Sequence, residues 1–151
     1  MQRAADELLA GYQQDFPVLD AGNAVGLLRR SGVPSRWGGF PVVSGGTDNH
    51  MFLVDLTGHN ITGRDAQEAM GLAGLTVNKN VIPFDPRNPA EAGGIRIGTP
   101  AVTTRGMKEP EMQTLAVWIT EILTAPDPAK TARALRQNVK DLCAQFPIPG
   151  L

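Results

Sequence analysis

Two arginines stand in a run of glycine, threonine and proline, Gly93-Gly94-Ile95-Arg96-Ile97-Gly98-Thr99-Pro100-Ala101-Val102-Thr103-Thr104-Arg105-Gly106. A guanidinium is planar, permanently charged, and carries a fork of donors that matches a carboxylate in two parallel hydrogen bonds. Arg96 lies between the strand-forming Ile95 and Ile97, and the glycines let backbone come close to whatever the arginine holds. Gripping an acidic small molecule is therefore the chemistry this spacing could do. On spacing alone, though, Arg96 reads as a solvated strand residue, and Arg105 fits equally an arginine that bonds turn carbonyls.

Two more polar clusters accompany it, Ser44-Gly45-Gly46-Thr47-Asp48-Asn49-His50 and Asn78-Lys79-Asn80. Asp48, Asn49 and His50 read as a turn whose side chains bond local backbone. His50 and His59 lack the clustered partners that zinc needs, and Ser44 has no base beside it for nucleophilic work. The glycine pairs 45/46 and 93/94 form neither a dinucleotide fingerprint nor a phosphate loop and read as turn and bulge formers.

The elements that must position these residues follow from hydrophobic period. Helices are expected over Gln2 to Gln14, with Ala5, Leu8, Leu9 and Tyr12 on one face, and over Asn23 to Arg30. Ser31 to Gly39 reads as loop. Phe40 to Val43 and Met51 to Leu56 read as strands joined in a hairpin, and Leu75 to Val77 and Ile95 to Ile97 as two more. Thr62-Gly63-Arg64-Asp65 has the spacing of a helix cap, opening a helix with Ala66, Ala69, Met70 and Ala73 inward. Asn78 to Gly94 holds Pro83, Pro86 and Pro89 and is expected to contain no regular element. Two amphipathic stripes close the chain: Met112, Leu115, Ala116, Ile119, Ile122 and Leu123, then Ala132, Leu135, Val139, Leu142, Cys143 and Phe146. The break between them is Ala125-Pro126-Asp127-Pro128. Together these predict an α+β fold, a short antiparallel sheet covered by helices.

Composition bounds the rest. With 151 residues, 42% hydrophobic and 19% charged, the chain is long enough to bury about two thirds of its unfolded surface. A formal net charge of -1 gives no footprint for nucleic acid or an anionic membrane. The single cysteine, Cys143, excludes an internal disulfide framework and is expected to be a buried, inert thiol. No apolar run approaches the roughly 20 residues of a membrane span, and no signal-peptide pattern opens the chain, so a cytoplasmic domain is expected.

Three segments carry a family resemblance: VVSGGTDNHMFLVDL (42–56), LTVNKNVIPFDPRNP (75–89) and GGIRIGTPAVTTRGMKEPEM (93–112), with LCAQFPIPG (142–150) at the end. Multi-residue matches in order are far more specific than a short motif. The chain resembles the C-terminal small domain of serine hydroxymethyltransferase, over residues 40–151, with a diverged helical and loop segment at 1–39. That family passes a one-carbon unit between serine and tetrahydrofolate on pyridoxal 5'-phosphate. By resemblance, Arg96 grips the substrate carboxylate, Arg105 lies on the carboxylate side of the same pocket, and Asn80 sits near the folate.

The resemblance also implies what is missing. The family lysine that holds the cofactor as an aldimine belongs to a Thr-rich segment upstream of these matches. Lys79, Lys108, Lys130 and Lys140 do not stand in that motif. The expectation is a truncated hydroxymethyltransferase-like chain with a half-site, inactive and free of pyridoxal phosphate by itself. The alternative is a non-catalytic module that pairs with an intact family member or a separate large-domain chain; the family's dimeric habit also allows a homodimer.

Overall fold

A computed structural model describes residues 36–37, 39–45, 47 and 50–150. The helices expected over Gln2 to Gln14 and Asn23 to Arg30 lie outside the described residues, as do Asp48 and Asn49. Among the described residues five strands and four helices follow in the order β1 (Arg36–Trp37), β2 (Phe40–Pro41), β3 (Met51–Asp55), α1 (Gly63–Ala73), β4 (Asn78–Asn80), β5 (Gly94–Gly98), α2 (Pro100–Thr104), α3 (Glu109–Thr124) and α4 (Pro128–Gln145). The fold is α+β: an antiparallel sheet in the order β3-β5-β4, covered by helices.

The segment expected as loop at Ser31 to Gly39 contains a short strand instead. β1 pairs antiparallel with β2 through Trp37↔Phe40, and Gly39 takes the left-handed φ of +84° at the connection. The expected hairpin between Phe40–Val43 and Met51–Leu56 is reduced to one antiparallel bridge, Val42↔Val54, because a 3-10 turn at Val43–Gly45 diverts the chain.

Helix α1 begins as its sequence predicts. Thr62 stands at the cap with its hydroxyl accepting from the Asp65 N–H at 3.0 Å, and Gly74 ends the helix at φ +85°. Its apolar face, Ala66, Ala69, Met70 and Ala73, is buried. α3 starts where the Glu111 carboxylate accepts from the Lys108 N–H at 2.7 Å, and α4 where Asp127 accepts from the Lys130 N–H at 3.0 Å. α2 was not anticipated: Pro100 occupies its first turn, where the missing N–H costs nothing.

The core lies between one face of the sheet and helices α1, α3 and α4. Val54 and Ile95, opposed in register, meet Met70, Leu56 and Ile122 there, all fully buried. Each such side chain contributes about 1.5–3 kcal/mol relative to exposure. Thr120 is the buried polar side chain among the described residues, and its hydroxyl donates to the Ala116 carbonyl at 2.8 Å. Phe40 closes one end, its ring 4.2 Å from that of His59. On α4 only Ala132 and Val139 are buried; Leu135, Leu142, Cys143 and Phe146 are half-buried, so Cys143 is less enclosed than its stripe suggests. No helix among the described residues is long and apolar enough to cross a membrane.

The strand expected at Leu75 to Val77 is displaced. Those residues form the connection from α1, with Val77 buried, and pairing begins at Asn78–Asn80, inside the segment expected to be irregular. The register is Asn78↔Arg96, Lys79↔Ile95 and Asn80↔Gly94. The Lys79 N–H, turned away from β5, donates to the Gln67 side chain at 2.8 Å.

Candidate functional site

Side chains alternate faces along a strand, so the burial of Ile95 and Ile97 against the helices places Arg96 on the opposite face of β5. Its registered neighbours there are Leu53 on β3 and Asn78 on β4. Asn80 shares that face one diagonal step away, a separation of roughly 7–8 Å between neighbouring strands. The fold thus brings Arg96 and Asn80 together. Arg96 is half-buried, and among the described residues its guanidinium has no hydrogen bond or ion pair. The Asn80 side-chain amide donates to the adjacent Val81 carbonyl at 2.7 Å.

Arg105 is held elsewhere. From the end of α2 its Nε donates to the Phe146 carbonyl at 2.7 Å and its Nη2 to the Cys143 carbonyl at 2.8 Å. It lines a cavity of about 240 Å³ with Phe52, Ile97, Met112, Val139 and Cys143. Phe52 and Ile97 belong to the helix-facing side of the sheet, so this apolar cavity and the Arg96 side chain lie on opposite faces.

The loop from Val81 to Gly93, which the sequence marked only by its prolines, is densely bonded. Ile82-Pro83-Phe84-Asp85 is a turn closed by the Asp85 N–H on the Ile82 carbonyl at 3.1 Å, with Phe84 at φ +57° in the place where a type II turn favours glycine. The Asp85 carboxylate accepts from Gly93 N–H at 2.6 Å, Arg87 N–H at 2.9 Å and Ile82 N–H at 3.3 Å. Desolvation pushes that carboxyl up, but the three N–H groups and the Arg87 charge outweigh it and leave its pKa below the ordinary value. Arg87 donates to the Ile61 carbonyl at 2.6 Å and the His59 carbonyl at 3.0 Å. Asn88 accepts from the Ala90 and Glu91 N–H groups, and Lys79 Nζ donates to the Ala90 carbonyl at 2.7 Å.

The glycine pair 93/94 is a point of close approach, and neither residue has a left-handed φ. A Cβ at Gly93 would stand 2.5 Å from the Asp85 carboxylate, and one at Gly94 would stand 2.6 Å from Ile82 Cγ2 and from the Val54 carbonyl. The first N–H groups of α1 are also taken by this loop, Gly63 by the Ala92 carbonyl and Arg64 by the Glu91 carbonyl, both at 2.8 Å.

Lys79 is bonded to a backbone carbonyl, and no lysine lines the 240 Å³ cavity or the second one, of about 370 Å³, beside His59, Leu123 and Pro126. Among the described residues no group of three His, Cys, Asp or Glu could hold a metal ion.

The family model described as serine hydroxymethyltransferase matches residues 35–119, more than half of the chain. This chain belongs to the serine hydroxymethyltransferase family. It is 51% identical over 112 residues to the serine hydroxymethyltransferase of Halorhodospira halophila (strain DSM 244 / SL1), an alignment covering 74% of this chain and 27% of that protein. The chain thus spans about a quarter of the relative's length.

Proposed function

We propose that this domain supplies the substrate-carboxylate and folate-facing half of a hydroxymethyltransferase centre, with Arg96 as the carboxylate grip and Asn80 beside the folate. The observation that supports it most is the half-buried Arg96 guanidinium, unpartnered among the described residues and sharing a sheet face with Asn80 inside the family match. An arginine withdrawn from water without a carboxylate of its own is arranged to receive one. Arg105 is given no part in the grip, because its guanidinium is engaged by the Phe146 and Cys143 carbonyls. The family reaction, serine and tetrahydrofolate to glycine and methylenetetrahydrofolate, needs pyridoxal phosphate on a lysine that these residues do not provide. The 151 residues by themselves are therefore proposed to bind weakly and to lack activity. One solvent-reached arginine on a carboxylate is screened, and affinity falls near the millimolar end of the scale.

A second reading is favoured by Phe84. Its side chain is fully exposed at the tip of the laced loop, with Val81 also exposed beside it. A rigidly presented apolar tip suits a module that pairs with an intact family chain or a separate large-domain chain.

Mixing the chain with pyridoxal 5'-phosphate and recording the visible spectrum before and after borohydride tests the first reading. No reducible adduct, with glycine shifting the Arg96 resonances, supports it; a stoichiometric adduct trapped on one lysine overturns it. Size-exclusion with the full-length Halorhodospira halophila enzyme tests the second, and a monomer that ignores the enzyme sinks it.

A further inference from the structure

We propose that Asp85 is the positioning residue of the half-site, its carboxylate setting Asn80 and Arg96 in register. This inference rests on the half-site reading of Arg96 and Asn80. One Asp85 oxygen accepts from two N–H groups that flank the loop, Ile82 at 3.3 Å and Gly93 at 2.6 Å. Ile82 lies two residues after Asn80, and Gly93 lies three residues before Arg96. The same carboxylate oxygen therefore joins the end of β4 to the start of β5, and β4 pairs over only three residues. A pairing this short does not hold its own register; a charged acceptor shared by both strand ends does.

Two features show that the join is built for a carboxylate. Gly93 leaves the space it occupies, since a Cβ there would come within 2.5 Å of Asp85 Oδ1. The other oxygen, Oδ1, takes the Arg87 N–H at 2.9 Å, and the Arg87 guanidinium fastens the assembly to the His59 and Ile61 carbonyls. Asp85 touches neither proposed site residue, so it acts on them only through backbone. An amide in its place keeps the volume but turns one acceptor into a donor that faces backbone N–H groups.

The test uses the full 151-residue chain, glycine as the probe, and the variants Asp85→Asn, Asp85→Ser and Arg96→Lys, read by amide exchange and by glycine titration of the Leu53 and Asn78 amide resonances, which flank position 96 in register. Asp85→Ser, which keeps one acceptor oxygen, serves if Asp85→Asn does not fold. Expected in the Asp85 variant is faster exchange at Asn78–Asn80 and Gly94–Arg96 with α3 and α4 unchanged, and a glycine midpoint raised about tenfold, the cost of misplacing one charged hydrogen bond. Arg96→Lys should do the opposite, losing the glycine response while exchange stays as in wild type. Equal glycine midpoints in wild type and the Asp85 variant overturn the positioning role and leave the half-site standing. A wild type that does not respond to glycine overturns the half-site and the positioning role with it.

Discussion

Arg105 and Phe146 stand 41 residues apart and are joined by a 2.7 Å hydrogen bond from the arginine Nε to the phenylalanine carbonyl. The Nη2 bond to Cys143, whose carbonyl also accepts from the Phe146 N–H at 3.2 Å, completes a clasp over the last turn of α4. Replacing Arg105 by Met keeps the stem and removes the clasp. Unfolding in urea should then show a loss of about 1.5–3 kcal/mol, the range for hydrogen bonds to a charged group, with exchange accelerated at the end of α4. A stability unchanged within about 0.5 kcal/mol would show that the clasp is idle.

Gly63 and Gly94 meet back to back where α1 starts against β5. A Cβ on Gly63 would stand 2.3 Å from the Gly94 carbonyl oxygen, and backbone cannot swing away as a side chain does. Gly63→Ala should destabilise by at least the ~1–3 kcal/mol typical of overpacking. Thermal unfolding with Gly71→Ala as control, where added bulk meets nothing, checks the point.

Phe84 holds a left-handed φ with its side chain wholly in water. Asn tolerates that conformation and gives up no buried surface, so Phe84→Asn should raise stability by up to about 1 kcal/mol, read as a higher urea midpoint at constant slope. If the exposed ring serves a partner, the same variant weakens association with the full-length relative while folding better.

Two acids give stability opposite slopes with pH. Asp85 has its folded pKa below the ordinary 3.8, so its contribution is present above that value and is lost as pH falls through the folded one. Glu121, half-buried on α3, is raised above 4.5 by desolvation, so stability falls as pH rises from 4.5 to its folded value. Glu121→Gln should therefore stabilise at pH 7 and remove that fall. Asp85→Asn should destabilise at pH 7 and flatten the acid limb. Urea midpoints across pH 2–8 separate the two.

Period made α1, α3 and α4 legible: the apolar stripes of α1 and α3 match burial nearly residue for residue, while that of α4 is buried at Ala132 and Val139 and half-buried at its other positions. β4 was not legible. Leu75, Thr76 and Val77 look like a strand but form a connection in which Leu75 and Val77 pack on the core, while the polar Asn78-Lys79-Asn80 pairs through backbone alone. α2 hid behind Pro100, a residue that starts helices as readily as turns. Arg96 and Asn80 were found through a resemblance, and Asp85 was missed. Its partners lie before and after it in a Pro-rich loop, and the local signal was an Asp two residues ahead of the N–H it caps, an Asx turn in Asp85-Pro86-Arg87. The need for Gly63, Gly93 and Gly94 depends on neighbours that only the folded chain supplies.

The bond between Gln67 and the Lys79 N–H has a further effect. A three-stranded sheet ends in edges whose bare donors can recruit a strand from another molecule and seed fibrils. Here a helix side chain stoppers the outward donor of β4, so the sheet does not extend by templating at that point.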